Sequence, residues 1–118
     1  IDSLPANTAR GYTRRGPGSR EPGPLRPNED ELPGRGSSAG GGYSTAGDLL
    51  RLLQALREKR IPNAPPAGIG MAGGSAGVNA MVEGGLPGGY DLVVLANLDP
   101  PAARAVAQRV RAMLGAED

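Results

Sequence analysis

Ala46, Leu49, Leu50, Leu53 and Leu56 recur at the three- and four-residue spacing of a single helix face. Arg51, Arg57, Glu58, Lys59 and Arg60 fill polar positions, and the basic residues near the end complement the C-terminal dipole. The pattern predicts a helix from about Thr45 to Lys59. Thr45-x-x-Asp48 at its start resembles a capping box with Asp in place of Glu. Pro62, Pro65 and Pro66 prevent continuation. Gly68 to Gly77 reads as a flexible, small-residue segment. Val78 to Glu83 reads as a strand, Gly84 to Gly89 as a turn, and Tyr90 to Leu98 as a second strand. The run Leu92-Val93-Val94-Leu95-Ala96 is almost wholly apolar, as expected of a strand covered on both faces.

After this strand, Asp99 is expected to cap a final helix with Pro100 and Pro101 in its first turn. Ala103, Val106, Ala107, Val110 and Leu114 form its apolar stripe, while Arg104, Gln108, Arg109 and Arg111 lie elsewhere on the wheel. Residues 1–42 read as a Gly/Pro-rich irregular segment with one short strand near 9–14. Gly16, Pro17, Gly18, Pro22, Gly23, Pro24 and Pro27 break any periodic structure after it. Residues 43–118 hold the helix, the hairpin and the C-terminal helix. The predicted fold class is α+β: a small antiparallel sheet, mainly Gly70–Glu83 against Tyr90–Leu98, with the C-terminal helix packed on it and one further helix alongside.

Composition adds a tension to this picture. Gly (20) and Pro (12) make up over a quarter of the 118 residues, Phe and Trp are absent, and only three Tyr are present. Large buried rings are therefore scarce. A net charge of +1 lacks the strong self-repulsion of disordered chains. A thin core without high charge fits a chain completed from outside, as a fragment, an oligomer or one part of a two-chain complex. The near-neutral balance argues against nucleic acid as the main partner, and no apolar run approaches the roughly 20 residues of a membrane-spanning helix. With no Cys, neither disulfide nor thiol chemistry is available.

The candidate chemistry is mostly negative. Gly68-x-Gly70-x-x-Gly73 has the spacing of a dinucleotide-binding loop, but a Pro-rich linker precedes it and a strand follows, where the chemistry needs strand, loop and helix. Gly73-x-Ser75-x-Gly77 has the spacing of a nucleophile elbow, yet the chain contains no His to act as its base. Common zinc sites need His or Cys. The acidic cluster Glu29-Asp30-Glu31 reads more simply as a solvated turn than as a cation site. Lys59 is the only lysine, and Leu56 three positions before it rules out Ser-x-x-Lys. Tyr-x-Asn fails at Tyr12, Tyr43 and Tyr90. No catalytic residue, metal or cofactor is expected in this chain.

Three segments nevertheless resemble one superfamily. Gly40-Gly-Gly-Tyr-Ser-Thr-Ala-Gly-Asp-Leu-Leu50 is similar to the helix start of serine hydrolases related to class C β-lactamases, D-alanyl-D-alanine carboxypeptidases and family VIII esterases. Ala9-Arg-Gly-Tyr12 resembles the short strand that precedes it, and Val93-Val-Leu-Ala-Asn-Leu-Asp-Pro-Pro101 with its Ala-rich helix resembles the superfamily's last strand and C-terminal helix. Met71-Ala-Gly-Gly-Ser-Ala-Gly77 is an imperfect counterpart of the third active-site motif, Lys-Thr-Gly or His-x-Gly. Met71 stands where the cationic residue or histidine would be, and Ala76 replaces a proline. The linker from Ile61 to Ala67 is also shorter than in many relatives.

The resemblance implies the C-terminal portion of a β-lactamase/transpeptidase-like fold. The nucleophilic serine, its lysine and the tyrosine base would lie outside the chain. The segment from Met71 through Gly73, Gly74 and Ser75 would line the substrate cleft, and the Gly74 N–H would serve the oxyanion hole. Loss of the cation at Met71 favours ester or peptide-like substrates over carboxylated β-lactams. The expected partner is the N-terminal part of the same hydrolase or a second copy; the alternative is a non-catalytic interaction or self-association module. The Ala/Gly/Arg/Pro bias suggests a bacterial source, with periplasm and cytoplasm both open.

Overall fold

A computed structural model describes residues 4–16, 19, 21–33, 36–64 and 70–115. Pro17, Gly18, Pro65, Pro66, Gly68 and the linker residues 65–67 lie outside the described residues. The chain is α+β. Strands β1 (Tyr12–Arg15) and β2 (Pro22–Pro27) form an antiparallel ribbon, and helix α1 (Ala46–Arg57) follows. Strands β3 (Gly70–Ser75), β4 (Val78–Leu86) and β5 (Tyr90–Ala96) form an antiparallel meander, and helix α2 (Ala102–Met113) closes the order.

Thr45 caps α1 as the sequence suggests, its Oγ1 accepting from the Asp48 N–H at 3.1 Å. The reciprocal half of the box is not formed, because the Asp48 carboxylate pairs with Arg51 one turn on. The helix ends at Arg57, slightly inside the expected boundary.

Side-chain alternation along the meander separates its two faces. On β4, Asn79, Met81 and Glu83 face α2, where Met81 and Glu83 line a groove with Arg104, Ala107, Gln108 and Arg111. Val82 and Gly84 face α1, and Leu53 Cδ2 packs over Gly84. One helix therefore lies on each face of a three-stranded sheet. The buried hydrophobic residues among those described are Leu53, Val82, Ala103 and Ala107.

Several expectations are corrected. The prolines after β1 do not prevent a strand: β2 pairs Tyr12 with Pro27, Thr13 with Arg26 and Arg15 with Pro22. A two-stranded ribbon has two outer edges, and a missing N–H can be tolerated there. The segment from Gly70 belongs to the sheet, as the Gly70–Glu83 expectation had it, but it forms a strand of its own rather than a flexible stretch, so the sheet has three strands where a hairpin was expected. The β5 run is not covered on both faces, and Leu95 remains 46% exposed. One helix per face cannot cover all three strands, and α1 sits toward the Val82–Gly84 end. Val106, expected on the inner stripe of α2, is exposed, whereas Arg111, expected outside it, is turned toward Glu83 at 3.6 Å.

Leu50, Met71, Val78 and Leu95 are all exposed, together with Tyr43 ahead of α1. Met71, Val78 and Leu95 share the α1 side of the sheet by their register. That side is covered at one end and open at the other.

Candidate functional site

Met71, Gly73, Gly74 and Ser75 all lie on β3, an outer strand of the meander exposed along its whole length. Met71 pairs with Val82, Gly73 with Ala80, Gly74 with Asn79 and Ser75 with Val78. Met71, Gly73 and Ser75 thus face the α1 side, and Gly74 faces α2. No side chain of β3 is charged. Ser75 ends the strand, and the Ala76–Gly77 turn leads directly into β4. A strand-turn-strand context supplies neither the elbow of a serine nucleophile nor the helix N-terminus of a dinucleotide site.

The two glycines at the centre of β3 differ physically. A Cβ on Gly73 would meet nothing within 4 Å. A Cβ on Gly74 would lie 2.6 Å from Pro100 Cγ and 3.0 Å from Asn79 Nδ2. Gly74 is therefore glycine because the strand is pressed from behind by the start of the α2 connection, while its edge stays open.

Asn79 supplies the main polar support. It is buried, its Nδ2 donates to the Gly73 carbonyl at 2.9 Å, and its Oδ1 accepts from the Ala103 N–H at 2.8 Å. The Arg104 N–H approaches the same oxygen at 3.4 Å. Only an acceptor can face the N–H groups of a helix start, which fixes the amide's orientation and turns the NH₂ toward Gly73. Asn79 thereby takes the capping role expected of Asp99.

Asp99 works elsewhere. Its carboxylate accepts from Thr13 Oγ1 at 2.6 Å, from the Arg14 N–H at 2.7 Å and from the Gly77 N–H at 2.8 Å. Burial opposes its ionisation, but these three hydrogen bonds and the nearby Arg15 charge prevail and hold the carboxyl below the usual aspartate range. Asn28, 2% exposed, donates from Nδ2 to the Ala76 carbonyl at 2.9 Å. Tyr12 N–H donates to the Asn97 carbonyl at 2.9 Å. The β1–β2 ribbon is thus fastened to the turn that ends β3 and to the end of β5.

The acidic cluster is neutralised by arginine: Glu29 pairs with Arg10, and Asp30 and Glu31 both pair with Arg26. No group of three or more potential metal ligands gathers among the described residues. No helix among them is long and apolar enough to cross a membrane.

Sequence reasoning singled out β3 and missed its supports. Asn79 carried one signal, a polar residue between Val78 and Ala80 in a strand, where Asn is disfavoured. Asn28 and Asp99 sat in segments read as a turn and a cap, and nothing local pointed to partners 48 and 86 positions away. Comparison with protein-family models, with curated proteins and with solved structures gave no match to this chain.

Proposed function

We propose that this chain is the C-terminal segment of a β-lactamase-related serine hydrolase, with the nucleophile and base supplied by another segment. The reaction is acyl transfer from an ester, amide or β-lactam to water. The observation that carries this reading is β3 itself: an uncharged strand, exposed at every residue, fixed from behind at Gly73–Gly74 and carrying the residues that resemble the superfamily's third motif. A preorganised backbone N–H on such an edge can stabilise the charge that develops on a carbonyl oxygen. Met71 brings no charge to that edge, which favours a neutral ester or peptide-like substrate. The absence of His and of Ser-x-x-Lys assigns the chemistry of attack to the other segment.

The test is reconstitution. The encoding gene is read ahead of Ile1 for Ser-x-x-Lys and Tyr-x-Asn, and the nucleophile-bearing segment is combined with this chain in a fluorogenic short-chain ester assay. Turnover by the combined segments and none by this chain alone is the expected result. Absence of both motifs, or an inert combination, removes the hydrolase reading.

A second reading rests on the open side of the sheet, where Met71, Val78 and Leu95 are exposed: a self-association module. A concentration-dependent shift from monomer to dimer in sedimentation velocity, with no ester turnover in any combination, would favour it.

A further inference from the structure

We propose that Asn79 is a positioning residue that aims the Gly74 N–H outward from the β3 edge, a role that rests on the hydrolase reading above. The Gly73–Gly74 peptide is planar and trans, so its N–H points opposite to its carbonyl. The carbonyl is held on the inner side by Asn79 Nδ2 at 2.9 Å, which directs the N–H to the open edge. The peptide is already paired in the ladder, Gly73 opposite Ala80 and Gly74 opposite Asn79, but both residues are glycine and an outer strand has a neighbour on one side only, so the Asn79 side chain adds a tie beyond the ladder. Asn79 is in turn held by the Ala103 N–H at 2.8 Å, so the peptide is referenced to helix α2 through one buried amide. The amide uses a donor for the peptide and an acceptor for the helix, and no other uncharged side chain of that length offers both.

This division of labour gives a discriminating substitution. Asn79→Asp keeps an oxygen for the helix start, where a carboxylate is as good a cap as Asn, but removes the donor to Gly73. Asn79→Ala removes both. A protonated carboxyl can again donate to the Gly73 carbonyl, so acid should restore the Asn79→Asp variant. Glu83 on β4, Arg104 and Arg111 on α2 and Asp99 beside Gly77 also border this region, and the wild-type chain titrated in parallel carries all four.

The first measurement is made on the 118-residue chain labelled with ¹⁵N and ¹³C. At pH 7.5, Asn79→Asp is expected to shift the Gly73 carbonyl and Gly74 amide resonances while the Ala103 amide, still bonded to an oxygen of residue 79, keeps its protection from hydrogen exchange. At pH 4.5 the Gly73 and Gly74 resonances should move back toward wild type. In the reconstituted hydrolase, Asn79→Asp is expected to lower kcat tenfold or more with KM within twofold, and the deficit relative to wild type should shrink on acidification. Unmoved Gly74 resonances, or an unchanged kcat, overturn the positioning role. Lack of turnover in the wild-type assembly instead overturns the hydrolase reading and the catalytic meaning of the clamp, and it leaves no trace in the amide shifts.

Discussion

Thr13 Oγ1 donates to the Asp99 carboxylate at 2.6 Å, joining residues 86 positions apart. Thr13 is fully buried in this contact, and the same carboxylate holds the Arg14 and Gly77 N–H groups. Three elements that are distant in sequence therefore meet at one charged group: the ribbon, the β3–β4 turn and the connection into α2.

Because these hydrogen bonds hold the Asp99 carboxyl below its usual range, the carboxylate's contribution to stability is complete above the unfolded-state value, about 3.9. It fades as pH falls from there through the folded-state value. Asp99→Asn should lower stability at neutral pH by about 1–2 kcal/mol and flatten the acid limb below about pH 4. Urea titrations of both proteins between pH 2.5 and 7 measure this; parallel stability-pH curves would contradict the assignment.

Gly11→Ala should be among the most damaging small substitutions. A Cβ there would lie 2.5 Å from both Asn28 Nδ2 and the Gly77 carbonyl, and neither the backbone of a tight turn nor a buried amide can withdraw cheaply. The expected loss is about 3 kcal/mol, with exchange of ribbon amides accelerated before those of the meander. A melting temperature within a degree of wild type would show that the ribbon is not docked this tightly.

Leu53→Ala should cost about 2–3 kcal/mol, because Leu53 is the buried residue through which α1 meets Gly84 and the Val82 face. Val106→Ser, on the outer side of α2 at 50% exposure, should change stability by less than about 0.5 kcal/mol. Similar losses for both, measured by thermal melts, would place an unseen contact over the outer side of α2.

Thr45→Ala should cost about 1 kcal/mol through loss of the α1 cap. Asp48→Ala should cost clearly less, since its carboxylate makes only an exposed pair with Arg51. Equal losses in denaturant titrations would restore the reciprocal capping box that the structure lacks.

The legible parts of this fold were those written in local periodicity. The stripe of α1, the β5 run and the Ala-rich α2 each announced themselves within a dozen residues. β2 did not, because Pro22, Pro24 and Pro27 contradict strand propensity and only pairing with β1 overrides it. β3 did not, because glycine and alanine show no alternation to detect. The candidate strand was found through motif resemblance, while its supports were hidden for a different reason. Asn79, Asn28 and Asp99 act at distances of 6 to 86 positions, and an amide or carboxylate in isolation does not reveal which backbone group it will meet. Asp99 is the clearest instance: its position satisfies the local rule for a helix cap, but its carboxylate is taken by donors from Thr13, Arg14 and Gly77.

The span of the Thr13–Asp99 contact also sets an order in time. The β3–β4–β5 meander closes through turns of a few residues, which cost little chain entropy and form early. The ribbon's contacts draw on both the β3–β4 turn and the α2 connection, since Thr13 and Arg14 donate to the Asp99 carboxylate and Asn28 donates to the Ala76 carbonyl. Docking of β1 and β2 is therefore expected to come late in folding and to reverse early, which amide exchange would show as ribbon amides opening before those of the meander. The segment that pins the end of β3 is also the one whose release would free it.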